Sequence, residues 1–141
     1  MIDLLDINLW VALVDQRHIH HPIAQVYWTE NGANPFAFCR ITMLGFLRLA
    51  TSPKAVLHPK SQSEAWSIYQ EFMAIPQVRF LSEPPALESS FQRLTTQAAF
   101  PHRLWTDAYL AAFAIASGCR LVSFDADFAR FPGLNFLHLT P

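Results

Sequence analysis

Short apolar runs alternate along this chain with segments whose apolar residues recur at helical spacing. Each run has the length of a buried strand. The runs occupy residues 2–7, 36–39, 78–81, 121–124 and 134–139. Strands that alternate with helices in this way predict an α/β fold, with a parallel sheet covered by helices on both faces.

The predicted helices have recognisable ends. Ser61 and Glu64 have the spacing of a capping box, which predicts a helix that runs up to Pro76. Thr106 is expected to cap a helix over 107–117, and Gly118 to end it. Further helices are predicted from Pro22 to Gly32, over 41–49, and from the Pro84-Pro85 pair through Leu94.

The 141 residues form one predicted domain, residues 1–141, because no linker, repeat or low-complexity segment divides them. A chain of this size can build a core without disulfides, so we expect Cys39 and Cys119 to stay reduced. No apolar run approaches the ~18 residues of a membrane span. The first six residues also lack a positive segment, and these features together predict a cytoplasmic protein.

The charge balance restricts how the chain could meet nucleic acid. Its formal net charge is −1, with 10 Lys and Arg against 11 Asp and Glu. A broad basic face is therefore excluded, and any contact with phosphate must be local.

Three carboxylates are predicted to meet at one edge of the sheet. Asp6 ends the first predicted strand, Asp125 follows the fourth, and Asp107 lies at the start of the helix before it. Ligands of open parallel sheets bind outside the carboxyl ends of the strands. Three carboxylates gathered there would repel one another unless a cation lay among them. Carboxylates and water are the ligands of Mg²⁺ and Mn²⁺.

Each of these residues also has an ordinary structural interpretation. Asp107 could cap its helix or interact with the helix dipole. Asp125 and Asp127 could form a turn after a strand. Asp6 is harder to explain in this way, because a carboxylate that closes an apolar strand must be paired or bound.

The segments around these acids resemble PIN domains, and together they span nearly the whole chain in the right order. The likeness is found in LLDINLWVAL (4–13), TDAYLAA (106–112), LVSFDADF (121–128) and FPGL (131–134), while CRITMLGFLRLAT (39–51) is similar to the second helix of the VapC-like branch, the toxins of type II toxin–antitoxin pairs. The resemblance implies a three-layer α/β/α PIN-like fold with a central, mainly parallel sheet.

The same resemblance implies an activity and its partners. It implies a Mg²⁺- or Mn²⁺-dependent endoribonuclease that cleaves RNA phosphodiesters with a metal-activated water. A small VapB-like antitoxin would inhibit it, and the toxin would be a homodimer. Asp6, Asp107 and Asp125 match the acidic metal-site positions, and Asp127 lies beside the last of them.

Four further residues are candidates for supporting roles. Asn8 could complete the coordination of a metal, and Thr106 could hydrogen-bond the site, although a helix cap is the commoner role for such a threonine. Arg48 and Arg103 are candidate phosphate contacts, and each could instead pair with a surface carboxylate.

The chain departs from the family pattern at Gly45, where many members have a glutamate. This departure favours an alternative, a catalytically impaired PIN-like protein that binds antitoxin or RNA without cleavage. A phosphotransfer enzyme or receiver domain would also place acids at strand ends. Against the first, no second Asp follows Asp6 by two residues, and against the second, Lys54 and Lys60 are the only lysines.

Three histidines lie close together near the start of the second predicted helix, at positions 18, 20 and 21. Such a cluster could bind a transition metal. No matching cluster of Cys or His occurs elsewhere, so a structural role near the helix entry is favoured.

Overall fold

The computed structural model describes all 141 residues. The strands are β1 (Asp3–Leu5), β2 (Phe36–Phe38), β3 (Val78–Phe80), β4 (Arg120–Ser123) and β5 (Phe136–His138). The helices are α1 (Ile7–Val14), α2 (His21–Glu30), α3 (Arg40–Ala50), α4 (Gln62–Ala74), α5 (Leu87–Thr95) and α6 (Trp105–Ser117). Two short 3-10 helices, His102–Leu104 and Ala126–Arg130, precede α6 and β5.

All five strands pair in parallel, in the order β3-β2-β1-β4-β5. The chain builds the sheet outward from β1 to β3 and then returns to the other side of β1 with β4. The strand order therefore reverses between β1 and β4, where Leu5 pairs with Val122. In open parallel sheets the crevice at such a reversal is the usual place for a ligand.

The sheet separates two hydrophobic cores, because successive strand residues point to opposite faces. Leu5, Phe38 and Val122 pack under α1, α2, α3 and α4. Leu4 and Leu121 face the other core, which α5 and α6 cover. The predicted three-layer α/β/α fold with a parallel sheet is confirmed.

Several predicted helix ends are also confirmed. Ser61 Oγ accepts from the backbone N–H of Glu64, and Glu64 Oε1 accepts from that of Ser61, which completes the capping box. Gly118 ends α6 with φ +68°, in the left-handed region that favours glycine. α2 begins with Pro22 in its first turn.

The first strand is shorter than the predicted 2–7. It ends at Leu5, and α1 starts at Ile7 because the Asp6 carboxylate accepts from the Ile7 backbone N–H at 2.8 Å and caps the helix. Residues 4–13 are apolar almost throughout, and in such a run periodicity does not distinguish a buried strand from a buried helix.

The predicted cap of α6 is wrong. The helix starts at Trp105, Leu104 occupies the cap position, and no side-chain hydrogen bond caps the helix there. Thr106 therefore lies inside the first turn and is exposed. The 3-10 helix His102–Leu104 runs directly into α6, so the chain needs no separate cap at this point.

A buried ion pair joins the strands at the amino end of the sheet. Arg120 donates to Asp3 through Nε at 2.9 Å and Nη2 at 2.8 Å, and the Tyr27 hydroxyl donates to the same carboxylate at 2.6 Å. Asp3 is 1% exposed, so these three bonds compensate for its loss of water. The pair ties α2 to β1 and β4, on the opposite edge from the predicted site.

No helix is long and apolar enough to cross a membrane.

Candidate functional site: an acidic cluster at the sheet reversal

Asp6 and Asp125 follow the two strands between which the sheet order reverses. Asp6 comes directly after β1, and its backbone N–H donates to Val122 O of β4 at 3.0 Å. Asp125 follows β4 by two residues. Sequence positions more than a hundred residues apart therefore meet at the carboxyl edge of the sheet, as predicted.

The Asp6 carboxylate is fixed by two hydrogen bonds. Its Oδ1 accepts from the Ile7 backbone and its Oδ2 accepts from the Ser123 hydroxyl at 2.6 Å. Asp6 is 8% exposed. Burial raises the pKa of Asp6, the two hydrogen bonds oppose this shift, and the charge on Asp125 adds to it. The side chain is thus oriented in advance but costly to ionise.

Ser123 links the acids and was not among the predicted site residues. Its hydroxyl donates to Asp6 and accepts from the Asp125 backbone N–H at 2.9 Å, and Asn8 Nδ2 lies 3.5 Å away. Ser123 is fully buried at the end of β4. The sequence held one signal for it, a hydroxyl residue that closes an apolar strand two positions before an acid.

Asp107 brings a third carboxylate from the first turn of α6. Its pKa is raised to about 6, first by burial and then by the negative charges of Asp6, Asp125 and Asp127, while Arg103 acts in the opposite direction. Asp107 therefore lies close enough to the other three acids for their charges to act on it.

Asp125 and Asp127 serve local structure at the same time. Asp125 Oδ1 accepts from the Asp127 backbone N–H at 2.9 Å and caps the 3-10 helix Ala126–Arg130. The Asp127 carboxylate pairs with Arg103 Nη1 at 3.0 Å; the Arg103 side chain is largely exposed and that of Asp127 is partly exposed. The turn that the sequence suggested exists, and it places one carboxylate of the cluster on the surface.

The predicted supporting residues lie in different places. Asn8 is beside Ser123, and its Oδ1 is buried without a hydrogen-bond partner. Arg103 contacts the cluster through Asp127. Arg48 is exposed in the last turn of α3, where it lines a groove with Trp66. That turn is at the far end of α3 from the carboxyl edge of the sheet, so Arg48 is not brought to the acids.

The histidines near α2 have structural contacts. The His21 ring bonds Ala12 O through Nδ1 at 2.6 Å, and the His20 ring stacks on Phe124 at 4.4 Å. His18 accepts from the His20 backbone at 3.0 Å. These contacts support the structural interpretation of the cluster.

The donor set suits a hard cation in its chemistry. The cluster offers carboxylate oxygens and the unpartnered amide oxygen of Asn8, and a cation would relieve the repulsion that adds to the effect of burial on the pKa of Asp107. No group of three or more His, Cys, Asp or Glu side chains is arranged to hold a metal ion together. Both oxygens of Asp6 already accept hydrogen bonds, and Asp127 is turned toward Arg103. Coordination would therefore require side-chain rotation at Asp107, Asp125 or Asp127.

Gly45 lies in the middle of α3, where that helix touches the start of α1. A Cβ atom at this position would overlap Cδ1 of Ile7 and lie 2.7 Å from Cγ1. The Ile7 side chain therefore occupies the space into which a side chain at position 45 would project. Because Ile7 directly follows Asp6, the glycine also affects how the cap of α1 is packed.

Comparison with known proteins agrees with this geometry. The sequence matches the PIN domain family over residues 4–134. Ribonuclease VapC41 of Mycobacterium tuberculosis is 33% identical over 139 residues, and the match covers 94% of each chain. Ribonuclease VapC38 of the same species is 34% identical over 123 residues, covering 87% of this chain and 84% of the relative.

Solved structures have the same fold. VapBC2 from Rickettsia felis, bound to a DNA fragment from its promoter, matches with a TM-score of 0.73 at 17% identity, over 99% of this chain and 100% of that one. VapC20 of Mycobacterium tuberculosis, described as a sarcin–ricin loop cleaving toxin, gives a TM-score of 0.70 at 16% identity, over 94% and 98% of the two chains.

Proposed function

Because this chain belongs to the PIN-domain family of VapC ribonuclease toxins, we propose that it is a Mg²⁺- or Mn²⁺-dependent endoribonuclease that hydrolyses RNA phosphodiester bonds in the cytoplasm. One observation supports the metal-dependent chemistry most directly. Burial first, and then the negative charges of Asp6, Asp125 and Asp127, raise the pKa of Asp107 to about 6, and the repulsive part of this shift is relieved when a divalent cation binds.

Asp6, Asp107 and Asp125 are the residues that would hold the ion, with Asp127 and Asn8 as additional oxygen donors. The carboxylates differ in how firmly hydrogen bonds hold them, which suggests that they have different roles. Asp6 is held by Ser123 and the α1 backbone and keeps one orientation. Asp107 has no side-chain hydrogen bond that would have to break, so it can turn toward an arriving cation.

A divalent cation at these oxygens supplies a water of lowered pKa and stabilises charge on the phosphoryl oxygens. The protein keeps the carboxylates in place through Ser123, which hydrogen-bonds both Asp6 and the backbone of Asp125. Arg103 is more than half exposed and holds Asp127 through a single short contact. A phosphate at the site would therefore find a guanidinium within reach that is not locked in a buried pair.

We also propose a VapB-type antitoxin as partner and a homodimer as the toxin's assembly. The support is that the structurally similar protein from Rickettsia felis was solved as VapBC2. Exposed large hydrophobic side chains, such as Leu44 at 58% and Trp66 at 46%, leave apolar surface on α3 and α4. Light scattering coupled to size exclusion of the isolated toxin would give twice the chain mass if the dimer forms.

The activity is tested on purified, antitoxin-free protein mixed with total cellular RNA, in Mg²⁺, in Mn²⁺ and in chelator. We expect discrete cleavage products that require the metal and disappear in Asp6→Asn and Asp107→Asn. Asp15→Asn is the matched control, since Asp15 follows α1 at the end remote from Asp6, and it should cleave like the wild type. Cleavage that persists in chelator would contradict the proposal.

A binding-only protein is the second candidate, and Gly45 is the observation that favours it. Ile7 fills the space beside Gly45, so this chain has no carboxylate at the position where many family members have one. Intact RNA under every metal condition, from folded protein that still shifts RNA in a native gel, would establish this candidate. Metal-dependent cleavage lost in Asp6→Asn would exclude it.

A further inference from the structure

A cavity opens where α3 and α6 meet the segment after β3. It has a volume of about 490 Å³ and is lined by residues that include Arg40, Phe80, Glu83, Tyr109 and Phe113. These residues come from the first turn of α3, which follows β2, from the end of β3 and the segment after it, and from α6. The cavity therefore lies at the carboxyl edge of the sheet, the edge on which the proposed metal site lies.

The cavity and the acidic cluster share helix α6 and lie beyond neighbouring strands. α6 contributes Asp107 to the cluster and Tyr109 to the cavity. β1, which precedes Asp6, pairs with β2, which precedes Arg40. Neighbouring strands are about 4.8 Å apart, so the cavity is displaced from Asp6 by only one or two strand widths. The cavity therefore lies on the β2 and β3 side of Asp6, at the same edge of the sheet.

One wall of the cavity carries the Arg40 guanidinium, which lies over the ring of Phe80. The guanidinium carbon of Arg40 lies 4.4 Å from the ring centroid of Phe80. Arg40 pairs with no carboxylate, and its one side-chain hydrogen bond goes to Met43 Sδ at 3.7 Å. Its donors are therefore available to a ligand with acceptor oxygen or nitrogen atoms.

The same cavity also offers an oriented acceptor, the Glu83 carboxylate. Glu83 Oε2 accepts from the Tyr109 hydroxyl at 2.7 Å, and Glu83 Oε1 takes no hydrogen bond from the protein. Burial and the Glu83 carboxylate raise the pKa of Tyr109, so the phenol remains protonated and keeps the carboxylate in place. The free oxygen and the remaining lone pairs can accept from a ligand.

We propose that this cavity binds a guanine base of the RNA strand next to the cleaved phosphate, an inference that rests on the proposed ribonuclease function. Guanine has two neighbouring N–H donors for the Glu83 carboxylate and acceptors at O6 and N7 for Arg40. Adenine lacks the O6 acceptor, and uracil has a single ring N–H donor. Bases of unpaired RNA are read on these edges and stacked on aromatic or guanidinium planes.

The test measures binding in chelator, so that it does not depend on cleavage. Fluorescent single-stranded hexaribonucleotides with one G, A, C or inosine in a uridine background are titrated with wild type, Glu83→Gln and Glu88→Gln. We expect the G oligonucleotide to bind about tenfold more tightly than the others, near the low end of what one bidentate contact to a base discriminates. Inosine lacks the amino group, so the inosine oligonucleotide should lose most of this preference.

Glu83→Gln replaces one acceptor with a donor and should abolish the preference. Glu88 is exposed on α5 and is the matched control that should retain it. Equal affinities for all four oligonucleotides, or a guanine preference unchanged in Glu83→Gln, would overturn the assignment even if the protein cleaves RNA. A guanine preference that Glu83→Gln abolishes, in a protein that cleaves nothing with metal, would support the cavity and refute the ribonuclease.

Discussion

Replacement of Gly45 by alanine measures how closely α3 packs on the start of α1. The added methyl group would overlap Cδ1 of Ile7 and lie 2.7 Å from Cγ1 and 3.3 Å from Cγ2. Carbon atoms in favourable contact are about 3.5–4.0 Å apart. Ile7 must therefore leave its rotamer, or the two helices must separate.

Two effects of opposite sign determine the free energy of unfolding of Gly45→Ala. Overpacking a core costs about 1–3 kcal/mol, and a half-buried Ile7 with some room to move favours the lower part of that range. Alanine in place of glycine inside a helix gains about 0.5–1 kcal/mol. We expect a net loss of about 1 kcal/mol.

A double-mutant cycle separates the two effects. An Ile7→Ala background removes the three atoms nearest to the methyl group at position 45, so Gly45→Ala should there stabilise the protein by about 0.5–1 kcal/mol. The sign of the substitution thus reverses between the two backgrounds. Urea unfolding of the four proteins, followed by tryptophan fluorescence, gives each free energy of unfolding.

Gly32→Ala is the matched control for this cycle. A Cβ atom at Gly32 would lie 3.6 Å from its nearest neighbours, the backbone oxygens of Thr29 and Trp28, which is ordinary contact. Its effect should be the same in both backgrounds. If Gly45→Ala stabilises the wild type as much as the Ile7→Ala variant, Ile7 does not fill the space beside Gly45.

Three further predictions concern buried polar groups. Ser123→Ala removes the hydroxyl that donates to buried Asp6 and should lower the free energy of unfolding, measured in urea, by about 2–3 kcal/mol. Ser123→Thr keeps a hydroxyl and should retain most of the wild-type free energy of unfolding. Asp107 has a pKa raised to about 6 from its ordinary 3.8, so the folded state binds more protons and this group's contribution to stability falls as pH rises from about 4 to 6. In chelator, Asp107→Asn should therefore raise the Tm at pH 7 more than at pH 4. Arg120→Ala leaves the Asp3 carboxylate buried and should cost about 3–5 kcal/mol, again by urea unfolding.

Each of these predictions has a control and an outcome against it. Ser89→Ala removes an exposed hydroxyl that bonds only Ala86 O, and a Ser123→Ala variant no less stable than Ser89→Ala would refute the linking role. Equal Tm changes for Asp107→Asn at both pH values would show that this carboxyl does not titrate near 6. Arg130→Ala removes an exposed arginine without a carboxylate partner. If Arg120→Ala lowers the free energy of unfolding no more than Arg130→Ala does, the pair of Arg120 with buried Asp3 does not stabilise the fold.

Local patterns sufficed for the elements and for several of their ends. The capping box of Ser61 and Glu64 and the left-handed Gly118 depend on residues within one turn of each other, so the sequence specifies them without reference to the rest of the fold. Local patterns did not predict the start of α1, where a continuous apolar run suits a buried strand and a buried helix equally. The capping bond of Asp6 decides for the helix.

The acids of the candidate site were predictable because they follow strands of one parallel sheet. Asp6 and Asp125 must lie at the same edge whatever the strand order. Their connection through Ser123 was not predictable, since it requires β1 and β4 to be neighbours, and these strands are separated by more than a hundred residues. The position of Arg48 likewise depends on which end of α3 meets that edge.

The sequence by itself determined that helices and parallel strands alternate, that both faces of the sheet are covered, and that carboxylates gather at one edge. Periods of two and 3.6 residues and short capping motifs are local, so they are readable in the chain. Only the tertiary structure decided that Ile7 fills the space beside Gly45, that Asp3 pairs with Arg120, and that Glu83 and Arg40 line one cavity. These contacts join residues distant in sequence, and the order of the strands, which no local pattern encodes, brings them together.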